Sequence, residues 1–413
     1  MINYKEKKEQ IDIDSKAWET LKTKSIIELT TNGQKSTLKD VEHYTIDKTI
    51  DEKVNKMLDE LRNEDSNFVA IPPIIVIDGP SKNGIKIDIS VTYYSSTEIN
   101  KVDYSNLNLD FTYMPVPKEF LDSSFEKMIS EYPILHSVDE AISENDVVTW
   151  SAIRSSNNKI LGEDKEVRTK ATKTDSFSIN NEIIGHKVNE QFETTAPDGV
   201  SFQITINEVK RPVPTYLNDE NIHLAMLHNV NSLNDFKEKI ARDTAKNNAS
   251  NFLLKYYEMA LDAIVSKNEI SINDQNIFHS TSNHIDAILA NIDDEIHRRM
   301  IFEQILNETG EGLKILERAR ENSITSYYLV LIDNILGGKE NINVTEEDIQ
   351  KELEYINHSM FPRPNGVDSE ELFSILMHQK MALYLMKINN PSQYEIVKKD
   401  LKFRYLKYYK IDK

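Results

Sequence analysis

The chain has 413 residues and no cysteine, and its 68 acidic side chains outnumber its 49 basic ones to give a formal net charge of −19. The absence of cysteine excludes disulfides, thiolate zinc sites and cysteine nucleophiles, and the negative charge argues against broad binding of DNA or RNA. No stretch approaches the roughly 20 apolar residues needed to span a bilayer. The opening segment MINYKEKKEQ lacks the apolar core of a signal peptide. The composition therefore predicts a cytoplasmic protein with no membrane partner, and the length suggests about three domains.

Nucleotide and metal chemistry have no visible site in this sequence. The 11 glycines form no phosphate-binding pattern, and the 10 histidines form no close metal-ligand cluster. We therefore predict neither a cofactor nor a metal.

Residues 1–103 have the pattern of a small α+β domain. A strand-like Ile11–Ile13 precedes a helix over Lys16–Leu29, which Ser15 is placed to cap. After a polar turn, an amphipathic helix precedes two strands, at Ile74–Ile77 and Ile85–Tyr94, the second with alternating apolar residues. The helix is indicated by apolar residues at i, i+3, i+4 and i+7, namely Val54, Met57, Leu58 and Leu61.

Residues 104–142 are expected to form a linker or arm. A strand is predicted at Leu107–Phe111 and a short amphipathic helix at Phe120–Tyr132. A β domain follows over residues 143–211, and the chain is expected to be helical from Pro212 onward. Three signals indicate helix boundaries in that last part. A helix can be capped at its start, a pair of glycines is expected to end a later helix, and a threonine followed by acids is expected to start the next one. These three boundary signals lie at Ser232, at Gly337 with Gly338, and at Thr345.

The segment from Ile184 to Pro214 carries the most specific motif. It contains a glycine–lysine–glutamate turn that begins at Gly185, an alternating strand around Ile204, and a proline-containing exit. This order resembles the end of the FKBP-like prolyl isomerase domain of the bacterial trigger factors, which are ribosome-associated chaperones. Residues Ile315–Ile349 also resemble the C-terminal arm of that family.

The resemblance covers essentially the whole chain and implies an α+β multidomain fold. It implies a ribosome-binding domain at residues 1–103, a linker at 104–142, a degenerate FKBP-like isomerase domain at 143–211, and an all-α C-terminal chaperone domain at 212–413.

Prolyl isomerisation twists an amide over a barrier of about 20 kcal/mol, and an apolar, aromatic-walled pocket favours the less polar twisted state. The resemblance places Trp150, Phe177, Ile179 and Phe202 at this pocket. The aromatic flap of the family is replaced by a short turn at residues 195–199. We therefore expect either a weakened isomerase or a structural remnant in which Trp150 and Phe202 are ordinary core residues.

Ribosome docking in the family uses a basic loop, which aligns here with Gly33, Lys35 and Lys39. The phenylalanine–arginine pair of that loop is absent. A contact with backbone phosphate requires charge and not sequence, so both lysines are candidate docking residues. The alternative is that they are ordinary solvated surface lysines.

The helical part offers candidate client-binding residues, because it carries more apolar residues than one helix face needs. Methionine adapts to many partners, and we assign Phe373, Met377, Met381 and Tyr384 to this role, with ordinary core packing as the alternative. The basic and aromatic run that begins at Lys398 could contact RNA or form a solvated helix end.

The combined interpretation is an ATP-independent chaperone that holds newly synthesised polypeptides near the ribosome and assists folding and export. Its expected partners are unfolded or nascent chains and the ribosome near the tunnel exit. Two alternatives remain open, namely an enzyme whose main activity is peptidyl-prolyl cis-trans isomerisation, and a ribosome-free holdase.

Overall fold

A computed structural model describes residues 1–32, 36–81, 84–156, 159–360 and 368–401. The chain divides into two compact units. The first unit combines Met1–Tyr113 with Ala249–Gln350 and the described residues after Val367. The second unit combines Met114–Asn248 with the segment that begins at Lys351.

The N-terminal part of the first unit is a four-stranded antiparallel sheet packed against two helices. Its elements are β1 (Lys5–Asp14), α1 (Ser15–Thr31), α2 (Leu38–Glu64), β2 (Val69–Ala70), β3 (Ile74–Ser81), β4 (Gly84–Tyr94) and the single turn α3 (Ser96–Ile99). Strand β4 pairs with β1 along one side and with β2 and β3 along the other.

The alternation predicted for the second strand is confirmed. One face of β4 is buried, and it packs with Trp18 of α1 and with Met57 and Leu61 of α2 in a single core. The helix cap is corrected, since the carboxylate of Asp14 accepts the N–H of Ala17 at 2.8 Å and Ser15 is the first helical residue. The apolar residues of that face are Ile85, Ile87, Ile89 and Val91.

The predicted strand at Leu107–Phe111 is wrong, because this segment has no regular structure. Its apolar side chains are buried against a helix instead of pairing in a sheet. The ring of Phe111 stacks on that of Phe252 at a centroid distance of 4.7 Å, and Leu107 is buried. In this segment the alternating apolar residues therefore pack an extended connection against a helix.

The second unit contains a short helix and a five-stranded antiparallel sheet. Its elements are α4 (Lys118–Ser130), β5 (Tyr132–Ser137), β6 (Val147–Ser156), β7 (Lys159–Lys170), the single turn α5 (Ile179–Glu182), β8 (Gln191–Thr195) and β9 (Ser201–Thr215). The strand order is β5-β9-β6-β7, and β8 pairs with the first half of β9.

The expectation that the chain turns helical at Pro212 is wrong, because β9 continues to Thr215. Beyond Lys210 the pairing with β6 has ended, and β9 pairs only with β5. Pro212 and Pro214 are two residues apart, so both ring nitrogens point to the same side of the strand. A side left without a strand partner tolerates the missing N–H of proline.

Helices make up the remainder, in chain order α6 (Leu233–Asn268), α7 (Asp274–Ala290), α8 (Glu295–Leu306), α9 (Gly310–Glu340), α10 (Glu346–His358), α11 (Ser369–Asn389) and α12 (Pro391–Leu401). The predicted cap at Ser232 is confirmed by its hydroxyl, which accepts the N–H of Asp235 at 3.1 Å. The start at Thr345 is also confirmed, since its hydroxyl accepts the N–H of Asp348 at 3.2 Å.

The prediction that two glycines end a helix is wrong. Helix α9 passes through Gly337 and Gly338 and ends at Glu340, where Asn341 adopts a left-handed conformation with φ of 53°. Asparagine takes this C-terminal position when glycine does not. Among the described residues, no helix is both long enough and apolar enough to cross a bilayer.

Candidate functional site

The turn that carried the family resemblance is built around one carboxylate of the second unit. Glu190 accepts the Lys187 N–H at 2.8 Å and lies 2.8 Å from Nδ1 of His186. These hydrogen bonds, led by that of His186, lower the pKa of Glu190. The imidazole of His186 stacks on the ring of Phe192 with centroids 3.7 Å apart. The turn therefore presents its lysine on a fixed backbone.

The ends of the β domain are joined by a bidentate ion pair. Arg211, near the end of β9, donates Nε to Oδ1 and Nη2 to Oδ2 of Asp146, both at 3.0 Å. Asp146 is buried just before β6 and also accepts the Ser143 N–H at 2.8 Å. The hydrogen bonds to Asp146 raise the pKa of Arg211. A planar guanidinium that pairs in this geometry fixes the first strand against the last.

Three of the four isomerase candidates share one core. Trp150 is buried in it, and its Nε1 donates to Thr169 Oγ1 at 2.9 Å. Ile179 and Phe202 pack against the same core while half-buried. The fourth candidate, Phe177, has its ring 6.1 Å from that of Phe202.

This geometry separates the roles of the four side chains. The indole of Trp150 is enclosed and its N–H is satisfied, so it is a core residue with no face open to a substrate. Phe177 and Phe202 form a partly exposed aromatic pair. The domain therefore offers one aromatic wall and not an enclosed pocket.

The turn expected in place of the aromatic flap is confirmed. The N–H of Ala196 donates to Val200 at 2.8 Å, the N–H of Gly199 donates back to Ala196 at 2.9 Å, and Gly199 has φ of +84°. Strands β8 and β9 are thus joined by a short hairpin connection. It contains no aromatic side chain that could cover the wall formed by Phe177 and Phe202.

The client-binding candidates on α11 are mostly not at the surface. Met381 is 0% exposed and belongs to the helical core, whereas Phe373 is 42% exposed. Met377 is half-buried. Tyr384 is half-buried with its ring 6.1 Å from that of Tyr104. The excess of apolar residues on α11 reflects burial on several sides, because Leu372, Leu376, Leu383, Leu385 and Met386 are also buried.

The sequence interpretation missed a larger exposed apolar surface, which lies on α8. Ile296 is 81% exposed and Leu306 is 66% exposed, and Met300 and Phe302 lie partly exposed between them. The opposite side of the same helix is buried through Ile301 and Ile305. We call the four exposed residues the α8 surface. The sequence did contain a signal for this surface, because α8 has more apolar residues than one buried helix face can accommodate.

The acidic run before α8 contains the residue that caps this helix. Asp294 is the N-cap, and its carboxylate accepts the Ile296 N–H at 2.9 Å. The acid therefore starts the helix that carries the α8 surface.

The candidate docking residues are only partly visible. Gly33 and Lys35 lie outside the described residues, and Lys39 is exposed in the first turn of α2. Nearby, Leu38 is 66% exposed and Ile27 is 62% exposed. Most of the basic C-terminal run, from Lys402 onward, also lies outside the described residues.

Comparison with known proteins adds sequence relatives. No model of a protein family matches the chain. The trigger factor of Prosthecochloris aestuarii is 22% identical over 332 residues, which cover 75% of this chain and 72% of that protein. The trigger factor of Finegoldia magna is 22% identical over 364 residues, which cover 84% and 77%. One solved structure aligns over 97% of both chains, with 14% identity and a TM-score of 0.31. It is described as concerning promiscuous substrate recognition in the folding and assembly activities of the trigger factor chaperone.

The described residues form an α+β multidomain protein with two β-sheets and a long helical C-terminal region, as expected from the sequence. Together with the two sequence relatives, this architecture confirms the resemblance. The sequence similarity over most of the chain supports a divergent relative of trigger factor.

Proposed function

We propose that this chain holds newly synthesised polypeptides near the ribosome in the cytoplasm, without ATP, and assists their folding and export. The observation that carries the proposal is the α8 surface, since large apolar side chains exposed on a stable helix are typical of interaction sites. The resemblance to trigger factors implies the class of partner, namely unfolded or nascent chains.

The α8 surface suits clients without a defined sequence. Its exposed side chains are aliphatic, thioether and aromatic. Apolar burial is non-directional, and methionine adapts to different partners. Such a surface holds an unfolded segment through buried area alone. Phe373 of α11 and Phe278 of α7, which are 42% and 75% exposed, add apolar area of the same kind.

The β domain supports holding better than catalysis. A twisted amide is stabilised when apolar walls exclude water from it. Trp150 is closed into the core, and the hairpin at residues 195–199 leaves Phe177 and Phe202 uncovered. We therefore propose that the domain contacts proline-containing segments and that isomerisation is a minor activity.

Ribosome docking is proposed at the tip between α1 and α2, where Lys35 and Lys39 align with the basic loop of the family. Leu38, which precedes Lys39 in the first turn of α2, is exposed and provides an apolar contact. Because the chain has a net charge of −19, attraction to ribosomal RNA must be local and must weaken as salt screens it.

The holding activity is tested with guanidinium-denatured citrate synthase diluted into buffer that contains this protein and no nucleotide. Light scattering should fall as the concentration of the protein rises. If scattering were unchanged with this protein in molar excess over citrate synthase, the proposal would be contradicted.

Docking is tested separately by co-sedimentation with purified ribosomes over a salt series. The double variant Lys35→Glu with Lys39→Glu should no longer sediment with ribosomes and should still suppress aggregation. The double variant Lys16→Glu with Lys24→Glu is a matched control, because it makes the same charge change at exposed positions of α1. Equal binding by the two double variants would contradict docking at this tip.

A further inference from the structure

A cleft in the first unit lies apart from every surface described so far. Its volume is about 560 Å³, which falls in the range of roughly 300–1,000 Å³ that is usual for ligand sites. It is enclosed by the C-terminal end of α2, by β2, by α3 and by the last turns of α9. Leu58, Phe68 and Ile335 contribute apolar lining. The remaining lining is largely polar and includes Asn67 and Asn334, and the open side of the cleft suits a ligand that enters from solvent.

Helix α9 contains a glycine at this cleft that internal packing does not require. Gly337 and Gly338 both lie inside the helix, where glycine is destabilising relative to alanine. A Cβ on Gly337 would make ordinary van der Waals contacts within the protein, with Ile342 O at 3.4 Å and Met381 Cε at 3.9 Å. A Cβ on Gly338 would meet nothing within 4 Å, and Gly338 lines the cleft. The missing side chain therefore leaves room in the cleft and nowhere else.

The cleft also exposes the edge of a β-sheet. Strand β2 is the outer partner of β4, and the N–H of Ile71 donates to Thr92 O at 2.9 Å. Hydrogen-bonding direction alternates along an antiparallel strand. Ala70 therefore points its N–H and C=O away from β4, and Ala70 lines the cleft. An unpaired strand edge is a template for pairing with an extended chain.

The charge of the cleft differs from that of the whole protein. The chain has a net charge of −19, yet the residues that line the cleft include Arg62 and Lys339 and no carboxylate. Arg62 pairs with the exposed Asp59 at 2.6 Å, a contact that solvent screens. Lys339 lies 5.2 Å from the ring centroid of Tyr104. The lining therefore complements a ligand with negative charge.

We propose that this cleft binds an extended polypeptide segment of another protein that carries carboxylates next to apolar residues. The segment adds a strand to the edge of β2, its apolar side chains fill the space beside Gly338, and its carboxylates contact Lys339 and Arg62. This site has a sequence preference, unlike the α8 surface, and it does not depend on the proposed holding of unfolded clients.

The test uses the full chain and a fluorescein-labelled octapeptide of alternating valine and threonine that ends in two aspartates, with fluorescence anisotropy as the measurement. Gly338→Leu places a side chain in the cleft without a clash, and it should weaken binding by roughly tenfold or more. Gly337→Ala removes the other helical glycine away from the cleft and should leave the affinity within about twofold. Circular dichroism and thermal melting check that both variants fold.

The charge contact is tested with Lys339→Gln and with a peptide that carries asparagines and a C-terminal amide in place of its carboxylates. Lys339→Gln should weaken binding of the acidic peptide by roughly tenfold and leave the neutral peptide unchanged. The proposal is overturned if the wild-type chain does not bind the acidic peptide at about 1 mM, if Gly338→Leu binds it as tightly as the wild type, or if both peptides bind equally. None of these outcomes depends on suppression of aggregation, so this site and the holding function succeed or fail separately.

Discussion

The α8 surface gives the sharpest prediction about function. We expect the double variant Ile296→Gln with Leu306→Gln to lose holding activity while it keeps its stability. Both side chains are largely exposed, at 81% and 66%, so their removal takes little from the folded core. Glutamine is about as good a helix former as isoleucine and leucine. The free energy of unfolding should therefore change by less than about 0.5 kcal/mol.

The expected loss of binding follows from the exposed area. Full burial of one such side chain contributes about 1.5–3 kcal/mol. The exposed parts of Ile296 and Leu306 together correspond to about one and a half side chains, which gives about 2–4 kcal/mol when a client covers both. One factor of ten in affinity is about 1.4 kcal/mol. An unfolded client contacts several surfaces, so we expect the concentration for half-maximal suppression to rise by roughly tenfold, which is less than full coverage of both side chains would give.

The assay is light scattering of denatured citrate synthase, with thermal melting of the variants in parallel. Ile160→Gln with Met226→Gln is the matched surface control, since these side chains are 69% and 80% exposed but lie in the second unit. Ile301→Ala is the stability control, because Ile301 is buried on the other side of α8 and its truncation should destabilise by about 2–5 kcal/mol. Equal loss of holding in the α8 variant and the surface control would refute a dedicated α8 surface.

Two further predictions concern the β domain and the helical core. Isomerase activity on short proline peptides should be weak. Phe202→Ala should remove more of this activity than Trp150→Ala does, compared in molecules that remain folded. An isomerisation rate equal to that of an ordinary FKBP would contradict the first expectation. Asp348 and Lys380 form a buried ion pair at 2.7 Å, so Asp348→Ala should destabilise by about 3–5 kcal/mol in chemical denaturation. Burial raises the pKa of Asp348, but hydrogen bonds from Lys380 and Thr345 outweigh it and leave that pKa below its usual value. The stabilisation that ionised Asp348 provides should be complete above its unfolded pKa of about 3.9, and it should be lost as the pH falls through the pKa of the folded state. If wild type and Asp348→Ala showed the same pH dependence in denaturation, this prediction would be refuted.

The sequence predicts local structure well where a pattern has one physical solution. Alternation from Ile85 to Val91 has its apolar residues on one face of a strand, and β4 buries that face. The stripe through Met57 and Leu61 likewise predicts the buried side of α2. The acid-rich start after Thr345 predicts a helix through capping, which depends on neighbouring residues alone.

The same patterns fail where the answer depends on distant residues. The extended chain at Pro212 is maintained by β5, whose paired residue Leu135 lies 77 residues earlier in the sequence, so nothing near the proline indicates it. Met381 and Ile296 are both apolar residues on helices with a surplus of apolar positions. One is buried and the other exposed because of which helices surround them, and periodicity does not contain that information.

The exposure of the α8 surface raises a physical problem, since apolar patches promote self-association. Acidic residues flank α8 in sequence, with Asp293 before its start and Glu308 after its end, whereas Glu295 pairs with Arg299 of the same helix at 2.6 Å. Two copies that meet through α8 bring these acids together, whereas an unfolded client without such a cluster does not. Like-charge repulsion therefore selects clients over copies of the same chain.

This argument predicts the effect of removing the flanking charge. Asp293→Asn with Glu308→Gln leaves the Asp294 cap in place, and it should increase self-association in sedimentation velocity runs at low salt. Adding Ile296→Gln should reverse the increase, because the apolar contact is then lost. High salt should promote association of the unmodified chain for the same reason. At 1 M salt the Debye length is about 3 Å, so the repulsion between acids is screened while the apolar contact remains. Identical sedimentation of the unmodified and charge-neutralised chains under both conditions would mean that the flanking acids do not protect the surface, and that the steric surroundings of α8 prevent its pairing instead.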